Sequence, residues 1–134
     1  MKNSSPTKLS IALFSGDALA ILLAVLLGLR FHQAEDALVN RILYNWLPWL
    51  PAWLAAGWPL GVFAAPSRLA WGALGRVLWA VLLAAPLATV LRSAWLGTVA
   101  LPLLVLVMGI ASALAILIWR VVYAAIVGRS VTRE

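Results

Sequence analysis

The sequence predicts an all-α integral membrane protein. The expected architecture is a bundle of four transmembrane helices with both termini in the cytoplasm and a short interfacial helix between the first two. Three observations carry this expectation. The 134 residues are 65% hydrophobic and only 10% charged, with a mean hydropathy of +1.04. A soluble domain is about 45–50% apolar and about 25% charged, and a sphere of this size could not hide so much apolar surface from water. The apolar residues also fall into four runs, each at least the ~20 residues that a spanning helix needs. Finally, the basic residues stand mostly at the ends of those runs, as they do in membrane proteins. Four spans use roughly 80 residues, so residues 1–134 read as a single transmembrane domain with no room for a soluble one.

The first run covers residues 9–29, after a polar start with Lys2 and Lys8. It is longer than the 7–15-residue core of a secretory signal, and no small-residue cleavage site follows before Arg30. It therefore reads as a retained spanning helix. Residues 31–45 form the one sizeable polar stretch. Leu38, Val39, Ile42, Leu43 and Trp46 recur at helical spacing, with Gln33, Asp36, Asn40, Arg41 and Tyr44 largely opposite. That pattern predicts a helix lying in the head-group layer; the alternative is a plain connecting loop.

The second run, 46–65, contains Pro48, Pro51 and Pro59. Pro48 and Pro51 sit in the first turns, where the N–H has no partner anyway. Pro59 is internal and predicts a kink. The third run, 69–91, holds Arg76 and ends before Arg92; the fourth, 98–127, holds Arg120. Lys2, Lys8, Arg68, Arg76, Arg120, Arg129 and Arg133 fall on one side, and Arg30, Arg41 and Arg92 on the other. The excess assigns the first side, with both termini, to the cytoplasm of a multi-pass protein of the inner membrane.

Composition limits the chemistry. There is no cysteine, one histidine (His32) and four carboxylates, Asp17, Glu35, Asp36 and Glu134. Disulfides, iron–sulfur clusters and thiolate sites are excluded, and three good ligands for a catalytic metal are hard to gather. The expected cofactor list is empty. His32 is a candidate ligand or pH-sensitive residue, through haem or pigment ligation or protonation, although a lone interfacial histidine mostly does neither. The net charge of +6 points to anionic lipid head groups rather than nucleic acid, because the cations flank apolar runs.

Asp17 lies near the middle of the first run, where a carboxylate costs at least about 2.5–3.5 kcal/mol on insertion scales. Arg76 enters at matching depth from the third run, and Arg120 reaches the same layer from the fourth. An ion-pair site of Asp17, Arg76 and Arg120 is therefore expected. It reads as a clamp that orders the bundle, as a proton- or anion-handling site, or as arginines that snorkel past the acid.

The chain has eight tryptophans. Trp46, Trp49, Trp53, Trp71 and Trp95 read as an interfacial aromatic belt. Trp53, Trp58 and Trp79 lie deeper and suit packing or a bound apolar molecule. Gly57 and Gly61 have the small-residue spacing that lets membrane helices approach closely.

Several short motifs occur in order along the chain: Gly16-Asp17 with Leu27-Gly28-Leu29-Arg30-Phe31-His32, then Leu47-Pro48-Trp49-Leu50-Pro51-Ala52-Trp53. Ala85-Pro86-Leu87 with Arg92 and Trp119-Arg120 with Tyr123 follow. In this order the chain, over roughly residues 11–126, resembles the small bacterial and archaeal membrane proteins grouped as domain of unknown function 3054. The resemblance implies a four-helix membrane protein and no established activity.

From the residues, the leading expectation is a non-enzymatic structural or accessory subunit of a larger membrane complex, with a respiratory or photosynthetic assembly as one candidate host. Its partners would be membrane lipids and other membrane subunits or further copies of itself. The alternative is a small transporter or channel working through the Asp/Arg site. An intramembrane enzyme ranks last, because no acid/base pair or nucleophile constellation is visible.

Overall fold

A computed structural model describes residues 11–31, 38–64 and 71–131, with side chains to residue 127. Five helices follow one another: α1 (Ile11–Phe31), α2 (Leu38–Trp46), α3 (Trp49–Gly57), α4 (Trp71–Leu96) and α5 (Pro102–Val131). Among the described residues, three helices are long and apolar enough to cross a membrane: α1, α4 and α5 up to Val127.

The second run departs from expectation. It is not one helix over 46–65 but the nine-residue α3 followed by a closed turn. Nine residues rise only ~13 Å, well short of the ~30 Å hydrocarbon core. The prolines explain the division. Pro48 lacks an N–H and separates α2 from α3, yet its backbone stays near-helical at φ −63°, ψ −24°, so the chain runs on. Pro59 lies just beyond α3 and is not an internal kink.

Gly61 then adopts φ +64°. Its N–H donates to the Trp58 carbonyl, and that of Val62 donates to the Gly57 carbonyl. This is the bond pair of a Schellman stop, in which a left-handed glycine ends a helix. Gly97 (φ +63°) stops α4 in the same manner, with the Thr98 N–H on the Ser93 carbonyl. Pro102 opens α5 as its first residue, where the missing N–H is harmless.

The expected pairing role of Gly57 and Gly61 is therefore wrong. They do not share a helix face. A side chain on Gly57 would press on the Phe63 ring at 2.9 Å, and one on Gly61 would meet nothing within 4 Å. Glycine is needed at 57 to admit Phe63 and at 61 for its backbone angle.

Close helix approach comes from other small residues. Gly16, Ala20 and Ala24 line the buried side of α1. A Cβ built on Gly16 would fall inside the Trp119 indole, so α1 and α5 pack as tightly as they do because residue 16 has no side chain. On α5 the buried positions are Gly109, Ser112, Ile116 and Arg120, one per turn. Gly109 faces Ala85 of α4. The third contact sets Ala52 and Ala56 of α3 in one buried cluster with Ala80, Ala84 and Ala88 of α4.

Segment 45–62 runs antiparallel to α4. At one end Arg92 Nε donates to Asn45 Oδ1 at 3.0 Å; at the other, Val62 lines a cavity with Arg76 and Val77. α2 itself is strongly two-sided and has no fully buried residue. It lies against α1 and α4, and residues 32–37 of the expected interfacial helix fall outside the described residues.

Candidate functional site: a buried aspartate–arginine pair

Asp17 sits on the second turn of α1, on the same face as Leu13, Ala20 and Ile21, and is 0% exposed. Arg120 lies at the bottom of the buried stripe of α5. Because α1 and α5 run antiparallel, the start of one meets the end of the other. Arg120 Nε donates to Asp17 Oδ1 at 2.9 Å, and Nη2 to Oδ2 at 2.5 Å. This is the two-pronged arrangement that suits a planar guanidinium to a carboxylate.

The second segment adds two further bonds to the pair. Trp53 Nε1 donates to Asp17 Oδ2 at 3.1 Å, and Arg120 Nη1 donates to the Val62 carbonyl at 2.8 Å. That carbonyl is free to accept because the chain has left the helix at Gly61. Aromatic rings close the surroundings. Phe63 packs edge-on to both Phe14 and Trp53, at 5.7 and 6.0 Å between centroids. One ion pair thus ties α1, α3, the 58–64 turn and α5 together. A buried pair requires this degree of satisfaction, since desolvation otherwise outweighs the attraction.

Arg76 was expected in the same site and is not part of the pair. It is exposed, and among the described residues it makes no ion pair. The reason is geometric: Arg76 lies on an exposed position of α4, whereas Asp17 is fully buried. Arg76 instead borders a small cavity of about 30 Å³ with Arg120, Tyr123 and Val62.

The tryptophans divide differently from the expected belt. Trp53 and Trp49 are core residues, 0% and 3% exposed, because the α3 face that carries them turns inward to α1 and α4. Trp46 is half-buried, and its Nε1 donates to the Ala18 carbonyl at 2.9 Å. Trp71 and Trp95 are exposed, the latter edge-on to Tyr44. Trp58 and Trp79, expected to pack against neighbours or a bound apolar molecule, are exposed. His32, Glu35 and Asp36 lie outside the described residues. Among those described, no three potential metal ligands gather.

Sequence reasoning missed the Trp53 donor and the Val62 carbonyl. The first had a signal: Trp53 is one turn beyond Trp49 on the same face, at a depth where a polar N–H needs a partner. The second had none, because any backbone carbonyl could have served.

A model of the family described as protein of unknown function DUF3054 matches residues 14–123. The chain belongs to the DUF3054 family. The matched region runs from Phe14 to Tyr123 and so contains every residue of the pair and its shell. No curated protein and no solved structure matches. In this DUF3054 protein the carboxylate of the pair is itself fully buried. Ser112 lies two turns along α5 from Arg120, with the fully buried Ile116 between them. The buried face of α5 therefore offers no continuous polar path away from the carboxylate.

Proposed function

We propose that this DUF3054 protein is a non-enzymatic, multi-pass protein of the inner membrane that acts as a structural or accessory subunit of a larger membrane complex. The observation that carries the reading is the anchoring of the buried Asp17–Arg120 pair by Trp53 and the Val62 carbonyl. A carboxylate held by its neighbours in this way orders a bundle and is poorly arranged to exchange protons or ions. An outward face supports the partner half of the reading. Only 11% of the α5 span is buried, against 39% of α1 and of α4.

Photo-crosslinking residues placed at Ile110, Leu114 and Ile118 of α5 test it in native membranes. A discrete product with one heavier protein is expected there, and none from Leu82 or Leu83 of α4. Lipid adducts alone at all five positions would remove the subunit reading. A product of twice the chain mass would favour the alternative, a small oligomeric transporter or channel using Asp17, Arg76 and Arg120. That alternative draws its support from the cavity that Arg76 and Arg120 share.

The reading includes four crossings with both termini in the cytoplasm. Its support is the basic asymmetry together with segment 45–62, which accompanies α4 from Arg92 to Val77, a rise of ~22 Å. Cysteines placed at Ser4 and Thr132 should stay unlabelled by an impermeant thiol reagent on intact cells. Strong labelling at either position reverses the orientation.

A further inference from the structure

We propose that the cleft bordered by Arg76, Arg120 and Tyr123 binds the phosphate of an anionic phospholipid. Asp17 is the one carboxylate among the described residues, and Arg120 already occupies it. Arg76 has no protein anion within reach among those residues, although it belongs to a helix apolar enough to span a membrane. An exposed cation at such a position gains from an external counter-charge.

Position names the source of that charge. Arg76 is the sixth residue of α4, about 7–8 Å along the axis from Trp71. Trp71 is 90% exposed, as an indole marking the head-group level is. A long arginine side chain spans the remaining distance to lipid phosphates.

The cleft has donors to offer. After its bonds to Asp17 and Val62, the Arg120 guanidinium retains N–H groups, and it borders the same space as Arg76 and Tyr123. The Tyr123 hydroxyl donates no hydrogen bond to the protein among the described residues. Leu13 and Val77 supply apolar walls. The enclosed volume of about 30 Å³ admits only a water or two. The phosphate therefore sits at the mouth on Arg76, with water or the Tyr123 hydroxyl linking it inward to Arg120, while the acyl chains run along the bundle. This site is independent of the accessory-subunit reading.

The test uses the full chain purified in phosphatidylcholine micelles, with phosphatidylglycerol added and retained lipid counted by native mass spectrometry. The wild type should retain one phosphatidylglycerol in preference to phosphatidylcholine. Arg76→Gln should reduce that retention about tenfold, the loss of one charge-assisted contact. Arg30→Gln, which removes an exposed cation at the opposite end, should leave it unchanged. If Arg76→Gln does not accumulate, Arg76→Lys is read instead. It keeps the charge and loses the two-pronged grip, so retention should fall severalfold. Equal retention of the two lipids, or equal losses in Arg76→Gln and Arg30→Gln, overturns the proposal. Displacement of phosphatidylglycerol by millimolar inorganic phosphate also overturns it, since the site would then take a free anion.

Discussion

Replacing Asp17 with asparagine should destabilise the bundle by about 3–5 kcal/mol, the cost of stranding one charge of a buried pair in water-soluble proteins. The Arg120 guanidinium would lose its charge partner while staying 7% exposed. Arg120→Gln should be comparably damaging for the mirror reason. The double variant should be markedly better than the sum of the singles, because a neutral Asn/Gln pair leaves no buried charge. Arg76→Gln combined with Asp17→Asn should show no such rescue, since Arg76 lies outside the pair. Reversible unfolding of the purified protein in micelles measures all of these. Additive losses for Asp17 and Arg120 would mean that the two do not act as a clamp. If instead the single variants keep full stability and lose a proton- or anion-linked activity, the transporter reading takes precedence.

Trp53→Ala should be of similar size, about 3–5 kcal/mol, because it empties a large space in a packed core. The indole is wholly buried, stacks edge-on to Phe63 and donates to Asp17. Trp53→Phe separates these contributions. It keeps most of the ring volume and removes only the donor, so a loss of about 1–3 kcal/mol is expected. Trp71→Ala provides the contrast, with a change within about 0.5 kcal/mol for an exposed position. Thermal midpoints in one detergent suffice for the comparison. A Trp53→Ala protein as stable as Trp71→Ala would return Trp53 to the aromatic belt and break the link between α3 and Asp17.

The division between these two tryptophans shows where sequence reasoning stops. The sequence counts both in the aromatic belt, with Trp71 near the end of its run and Trp53 deeper in its own, where packing is the other reading. Trp71 stays outside, 90% exposed, on the opening residue of α4. Trp53 turns inward because α3 is short, its alanines dock on α4, and its remaining face meets Asp17. Gly57 and Gly61 make the same point. Their spacing is that of a helix-pairing motif, yet Pro59 lies between them, and the backbone closes into a turn before a second helical face forms.

By itself, the sequence determined the solvent, the helices and the problem to be solved. Hydropathy and charge are sums over local residues, so the spans of α1, α4 and α5 could be read to within a few positions without knowing any contact. A carboxylate at position 17, inside an apolar run, also meant that a cation had to be found for it. Only the tertiary structure decided which cation. Depth along a span is set by residue count, and it placed Arg76 and Arg120 in one layer. Pairing depends on how each helix is rotated and on which helices touch. Gly16 lets α5 come close enough to α1 for Arg120 to reach both oxygens of Asp17. The turn at Gly61 brings the Val62 carbonyl to the other side of the same guanidinium, and Arg76 remains exposed outside the pair.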